Sequence, residues 1–126
     1  MFSHVMIGSN DLARSKAFYD ALLAVLGGKP GTQDPRGRLV YVHNGGRFLV
    51  TTPINGDAAT HANGGTIGFA AAGPAEVDAW HKAGTANGGT AIEDPPGVRQ
   101  GAAGELYLAY LRDPDGNKLC ALHRMG

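Results

Sequence analysis

Cysteine is nearly absent from this chain of 126 residues, and the one present, Cys120, has no second cysteine with which to form an intrachain disulfide. A multi-cysteine metal site is excluded for the same reason. Excess charge of either sign is also missing: 11 Lys and Arg balance 11 Asp and Glu. That removes the usual electrostatic ground for a nucleic-acid or anionic-membrane partner. No apolar run approaches the ~18 residues of a membrane span. The opening Met1-Phe2-Ser3-His4-Val5-Met6-Ile7 has no basic start, and its apolar stretch stops at Gly8-Ser9-Asn10-Asp11. It lacks the form of a secretory signal, so a cytoplasmic location is expected. There is no P-loop, dinucleotide fingerprint, HExxH helix or nucleophile elbow.

Glycine, by contrast, is abundant: 20 of 126 residues, roughly twice the usual ~7%. The glycines fall between apolar segments without a collagen-like period and so mark turns. A chain of this length buries roughly two-thirds of its unfolded surface, enough for one core without covalent help. A single domain over residues 1–126 is expected.

Along the chain, Phe2 to Ile7 alternates as a strand, with Phe2, His4 and Met6 on one face and Ser3, Val5 and Ile7 on the other. Ser9-Asn10-Asp11 offers N-cap side chains, and Leu12, Phe18, Tyr19, Leu22, Leu23 and Leu26 recur at helical spacing until Gly27-Gly28. Residues 31–38 read as a polar turn. Leu39 to Val42 and Phe48 to Thr52 flank Asn44-Gly45 as a hairpin. After a linker the plan repeats: a strand at Thr66 to Ala70, and a helix opened by Pro74 and ended by Asn87-Gly88-Gly89. A strand near Thr90 to Glu93 follows, then a Pro- and Gly-rich loop to Gly104, then a hairpin around Asp113-Pro114-Asp115-Gly116-Asn117. His4 maps onto Thr66 and Phe18 onto Trp80 at an offset of 62, and matching Gly46 to Gly116 sets the last hairpin at an offset of 70. Module one is thus 1–53, the linker 54–64 and module two 65–126. Neither half can bury sheet and helix alone, so the halves should pair.

With this repeat, the chain resembles the vicinal oxygen chelate superfamily, which holds glyoxalase I, bleomycin-resistance proteins and extradiol dioxygenases. The resemblance rests on His4-Val5-Met6-Ile7, on Asp11-Leu12-Ala13-Arg14-Ser15-Lys16-Ala17-Phe18-Tyr19, and on Arg112-Asp113-Pro114-Asp115-Gly116-Asn117-Lys118-Leu119. It implies an α+β fold in which two βαβββ modules curl into a half-open cup. It also implies a homodimer and a small-molecule ligand. The cofactor it implies is one divalent metal ion (zinc, nickel or manganese), otherwise none, acting as a Lewis acid on neighbouring substrate oxygens. Carried over position by position, the four ligand sites fall on His4, Val50, Thr66 and Cys120. Of these only His4 and Cys120 offer metal donors, whereas a catalytic zinc normally has three protein ligands. Two functions follow from the resemblance. One is a glyoxalase-like lyase or isomerase, with His4 as metal ligand or general base. The other is a bleomycin-resistance-type protein that sequesters a compound in the cup without metal.

Phe2 and Met6 share the cup face with His4 by alternation, and Thr66 offers a hydroxyl there. Cys120 reads as a small buried residue rather than a nucleophile, since nothing cationic adjoins it in sequence. Arg99, in Gly97-Val98-Arg99-Gln100-Gly101, is weighed as an anion clamp against a solvated loop arginine. Tyr107 and Tyr110 lie on one strand, so at least one faces the cup; Tyr107 is included among the ligand-lining residues. Trp80 reads as core. His43, His61, His81 and His123 read as surface or hairpin residues, and Asp113-Pro114-Asp115-Gly116 as turn chemistry rather than an acid/base pair.

Overall fold

The computed structural model describes residues 1–126. Strand β1 (Val5–Gly8) leads into helix α1 (Leu12–Val25), followed by β2 (Thr32–Gln33), β3 (Leu39–His43) and β4 (Gly46–Thr51). The second module is β5 (Ile67–Ala70), α2 (Pro74–Ala86), β6 (Thr90–Gly101), β7 (Gly104–Arg112) and β8 (Lys118–Arg124). Each module forms a four-stranded sheet, ordered β1-β4-β3-β2 and β5-β8-β7-β6, and the two do not close into a barrel. In both, the first strand runs parallel to the last and the other pairs are antiparallel. No helix is long and apolar enough to cross a membrane.

Local chemistry sets these elements. The Asp11 carboxylate accepts from the Arg14 N–H and caps α1, while Ser9 Oγ accepts from the Asp11 N–H. Phe18, Tyr19, Leu22 and Leu23 form the buried stripe of α1. Pro74 opens α2, where its missing N–H costs nothing, and Val77, Trp80 and Gly84 face inward. The two helices meet at Gly84. A Cβ there would lie 3.2 Å from Leu22 Cδ1 of α1 and 2.2 Å from Leu111 Cδ1 of β7, so any larger residue would push these packed leucines aside.

One apolar cluster spans both modules, joining Phe18, Tyr19, Tyr41, Phe48 and Val50 to Val77, Trp80, Leu111 and Leu119. Phe69 bridges the two halves, its ring centroid 5.7 Å from Phe48 and 6.4 Å from Trp80. A polar strap runs beside this core. Asp113 Oδ1 accepts from the N–H groups of Asp115 and Asn117, which makes the expected turn. Across the module boundary, Tyr19 donates to Asp113, Arg14 and the Asn10 N–H bond Asp115, and Asn117 Nδ2 donates to the Gly8 carbonyl.

Two segments differ from the sequence reading. The polar turn at 31–38 contains the two-residue β2, too short to leave a periodic signal. The Pro-rich stretch after Glu93 continues β6 to Gly101, past a bulge between Ile92 and Gly97. Pro95 and Pro96 fall in that bulge on an edge strand, where no ladder bond needs their missing N–H.

The repeat is also one residue longer at its second hairpin than the glycine match suggests. Val5 pairs with Phe48 and Ile67 with Leu119, so Phe48 and Leu119 are equivalents, at an offset of 71. The glycine that matches Gly116 is Gly45, and both have positive φ, +79° and +91°.

Candidate functional site

Alternation divides each sheet into a helix side and an open side. Val5, Ile7, Phe48, Val50, Ile67, Phe69, Ala109, Leu111, Leu119 and Ala121 pack on the helix side. The open side therefore carries His4, Met6, Leu49, Thr66, Gly68, Tyr110 and Cys120. Val50 is thus corrected: it is fully buried among the helices and lines no cup. A slip of one residue in a strand exchanges its faces, and the offset of 71 makes Leu49, beside Met6, the open-side equivalent of Cys120.

The remaining residues singled out from the sequence are scattered. Phe2 is 80% exposed and Met6 43%. His4 Nδ1 and Ser3 Oγ share a hydrogen bond of 2.8 Å. Thr66 sits at a small recess of about 80 Å³ with Ile7, His61, Asn117 and Lys118, at the junction of the modules. The Arg99 guanidinium is spent on the carbonyls of Asp94, Pro95 and Val98, stapling the β6 bulge rather than pointing to a ligand. Tyr107 faces α2, where its hydroxyl donates to Asp78 across 2.8 Å, so Tyr110 is the tyrosine of β7 on the open side.

Tyr110 lies directly across from Cys120. The Lys118 ammonium sits 4.7 Å above the Tyr110 ring and is paired with Glu93, a residue held at φ +58° by the bulge. Cys120 is 5% exposed. Burial pushes its thiol up, against the neighbouring Tyr110 hydroxyl, which works to lower it, so it stays protonated; its Sγ donates to the Ala121 carbonyl at 3.6 Å. The open side of the β1-β4-β3-β2 sheet is partly covered as well. The linker folds back at Ala59, which exchanges two hydrogen bonds with the Asn10 side chain, and a Cβ at Gly8 would lie 2.9 Å from Ala59 Cβ.

The implied metal can be tested against these donors. The four family positions hold an imidazole (His4), an isobutyl group (Leu49), a hydroxyl (Thr66) and a protonated buried thiol (Cys120). No three His, Cys, Asp or Glu side chains of the chain converge. This donor set does not fit a divalent ion.

What the structure does offer is a groove of about 390 Å³ between the start of β1, the β3–β4 hairpin and β5. Its floor is Leu23, Leu26, Tyr41, Phe48, Ile67 and Phe69; Phe2, Ser3 and His4 line one wall, and His43, Asn44 and Arg47 sit on the hairpin. Phe2 and His4 are the residues singled out from the sequence that meet here. Tyr41 is fixed from behind, where its hydroxyl donates to Asp20 across 2.7 Å. Burial and the Asp20 carboxylate both hold that phenol well above its ordinary value. His43 and Arg47 escape the sequence reading because nothing in their own strands shows that residues of β5 line the same groove. The one available signal is that Arg47, two residues from Leu49, shares its face of β4.

The fold and the chain can be set beside known proteins. A glyoxalase/bleomycin resistance protein from Albidiferax ferrireducens T118 is 64% identical, with 98% of this chain and 99% of that one covered and a TM-score of 0.95. A glyoxalase/bleomycin resistance protein/dioxygenase family enzyme from Burkholderia phytofirmans PsJN is 19% identical over 98% of each chain, with a TM-score of 0.74. A lactoylglutathione lyase from Agrobacterium tumefaciens is 20% identical over 97% of this chain and 92% of that one, with a TM-score of 0.65. At those lower identities the likeness is of fold alone. A comparison with curated proteins finds no match. The family model described as Glyoxalase/Bleomycin resistance protein/Dioxygenase superfamily matches residues 1–121, and the chain belongs to that superfamily.

Proposed function

We propose that this chain binds a small molecule, without a metal ion, in the groove between β1 and β5, as a protein of the bleomycin-resistance type. The observation that carries the reading is the groove: its volume lies at the small end of the ~300–1,000 Å³ usual for ligand sites, and its floor is apolar with few polar groups. The donor chemistry of His4, Leu49, Thr66 and Cys120 supports the metal-free form. A cytoplasmic location and a homodimer belong to the same proposal, the latter tested by light scattering of the purified protein.

The test is a thermal-shift screen of small apolar compounds with and without EDTA. A ligand at 100 times its Kd adds about 2.7 kcal/mol, a rise in Tm on the order of 10 °C for a chain of this size. Shifts unchanged by EDTA are expected. About one zinc, nickel or manganese per chain in protein purified without chelator, lost in His4→Ala, would overturn the reading.

A glyoxalase-like lyase or isomerase draws support from His4, which opens onto the same groove as a candidate base. Against it, no Asp or Glu lines that groove to share the proton transfer. Turnover of α-ketoaldehyde thiol adducts, abolished in His4→Ala, would establish this second reading in place of the first.

A further inference from the structure

The groove is a slot between two unpaired strand edges. Phe2, Ser3, His4 and Val5 line one side of it, and Ile67, Gly68, Phe69 and Ala70 line the other. Successive residues of a strand point to opposite faces, so a cavity touched by each residue in turn runs along an edge and not over one face. Both strands are terminal in their sheets: β1 pairs only with β4, and β5 only with β8. The Ser9 N–H donates to the Thr51 carbonyl, and the Ala71 N–H to the Leu122 carbonyl. Counting back by alternate residues, Val5 and Ile7 turn their backbone groups to β4, and Ile67 and Phe69 turn theirs to β8. His4 and Met6, and opposite them Gly68 and Ala70, therefore turn theirs outward, where no backbone partner takes them. The next outward group along β1, the Gly8 carbonyl, accepts from Asn117 Nδ2, and the groove stops short of it.

The β5 edge also lacks the devices that keep a sheet edge from pairing. Ile67–Ala70 holds no charge, no proline and no bulge. Gly68 and Ala70 are both exposed, and a Cβ added at Gly68 would meet nothing within 4 Å. At ~3.3 Å per residue the strand offers ~13 Å of edge, the length of a short extended peptide. The two faces of the slot differ. Tyr41 and Phe48 share the helix side with Leu23, so a side chain turned that way meets the apolar floor. Arg47 and His4 stand on the open side, on neighbouring strands, and Arg47 takes part in none of the ion pairs of the chain.

From the bare β5 edge that faces the start of β1 across an apolar floor, we infer that the groove takes a short extended peptide of about three or four residues, bound as an added strand beside β5. Gly68 and Ala70 exchange N–H to carbonyl bonds with its backbone. A large apolar side chain at a middle position drops onto Tyr41 and Phe48, and the side chains flanking it project past His4 and Arg47. The inference rests on the groove being a small-molecule site and adds the chemical class of the ligand. Main-chain bonds supply the affinity of such a strand, and the pocket under its alternate side chain supplies the choice.

Titrating the protein with acetyl-Ala-Phe-Ala-amide, followed by calorimetry and by amide NMR shifts, tests this. Two esters serve as comparison, one with oxygen in place of the Phe N–H and one with oxygen in place of the N–H of the second Ala. The peptide is expected to bind with its largest shifts at Gly68 and Ala70. Consecutive N–H groups point opposite ways, so one ester lacks the donor turned to β5 and should bind about fivefold weaker or worse. Gly68→Pro removes an outward N–H without touching the β8 ladder and should weaken the peptide about fivefold, whereas Gly68→Ala, which keeps that N–H, should stay within about twofold. Amide spectra report whether both variants fold, and the esters test the same bonding in the unaltered protein. Both esters binding within about twofold of the peptide would overturn the added strand. A changed light-scattering mass in Gly68→Pro would overturn it as well, by giving the edge to a second copy of the chain. Failure of the peptide to bind, while neutral compounds of the thermal-shift screen shift Ile67 and Phe69, would overturn it and leave the small-molecule reading standing. If neither the peptide nor any compound of that screen shifts those residues, both readings fall.

Discussion

The Tyr19 hydroxyl donates to Asp113 Oδ2 across 2.5 Å, a bond from the helix of one module to the turn of the other. Both ends are buried: Tyr19 is wholly inaccessible and Asp113 is 3% exposed. The same carboxylate also accepts from the Asn117 side-chain amide and from the backbone of Asp115 and Asn117. It thus fixes the β7–β8 turn and ties it to α1 at once. Hydrogen bonds to a buried charge contribute about 1.5–3 kcal/mol, so Tyr19→Phe is expected to cost about 2 kcal/mol. Urea unfolding should show the loss as a lower midpoint with an unchanged slope. A change under ~0.5 kcal/mol would mean the remaining donors satisfy Asp113 by themselves.

Alkaline pH should act on the same pair. Tyr19 is raised well above its ordinary value by burial and then by Asp113, and Tyr41 is raised by burial and then by Asp20. A tyrosine raised in the folded state keeps its stabilising effect below the unfolded pKa, near 10, and loses it as the pH climbs above that value. Stability is expected to be flat up to about pH 9.5 and to fall steeply beyond it. Phenolate absorbance of Tyr19 and Tyr41 should appear only with unfolding. In Tyr19→Phe the slope of stability against pH above 10 should be shallower than in the parent.

These two tyrosines show how much the sequence reveals. Helical spacing puts Tyr19 in the stripe of α1, and the Asp-Pro-Asp-Gly run identifies a turn, but no local pattern connects positions 94 residues apart. The repeat was legible because strand and helix recur at a constant offset of 62. The site was less so. Matching Gly46 instead of Gly45 to Gly116 displaced the last strand by one position, and in a strand one position is the difference between cup and core. That error alone put Val50 in place of Leu49. Arg99 and Tyr107 were misplaced for another reason: their partners, the carbonyls of the β6 bulge and Asp78 of α2, are contacts that alternation does not encode. His43 and Arg47 line the groove together with Ile67 and Phe69 of β5, which is a property of how the modules pack and not of either hairpin.

Acid should loosen the groove from behind. Burial works to raise the Asp20 carboxyl, but the Lys16 ammonium, the Gly31 N–H and the Tyr41 hydroxyl outweigh it and hold it below the usual range. A lowered carboxylate gives its stabilisation above the unfolded pKa, about 3.9, and loses it as the pH falls through the folded value. Asp20→Asn is expected to lower Tm at pH 7 and to converge with the parent at pH values below the folded pKa of Asp20. Asp20 anchors Tyr41, so the variant should also weaken any groove ligand. Unchanged ligand affinity with lowered Tm would separate the anchor from the site.

Cys120 should behave as a core residue. Its burial and protonated state predict that a thiol reagent leaves the native protein unlabelled over hours and titrates one thiol per chain in urea. Rapid labelling without denaturant would place the thiol on an accessible surface and reopen its chemistry. Tyr110→Phe removes the hydroxyl that works to lower the thiol and should leave it no more reactive than before.

The aromatic path from Phe48 through Phe69 to Trp80 joins the two modules, and they are expected to unfold as one cooperative unit. Phe69 lies on β5, contacts module one through Phe48, and touches the only tryptophan. Trp80 fluorescence should therefore report the unfolding of both halves. Truncating a buried phenylalanine costs about 3–5 kcal/mol, and Phe48→Ala, in module one, is expected to shift the Trp80 transition in module two by that amount. Far-ultraviolet circular dichroism should shift by the same amount, with coincident midpoints. If Trp80 kept its midpoint while the ellipticity transition split in two, the modules would be folding independently. The shared core of Phe18, Tyr41, Trp80 and Leu111 would then be a contact between two stable halves and not the reason either one folds.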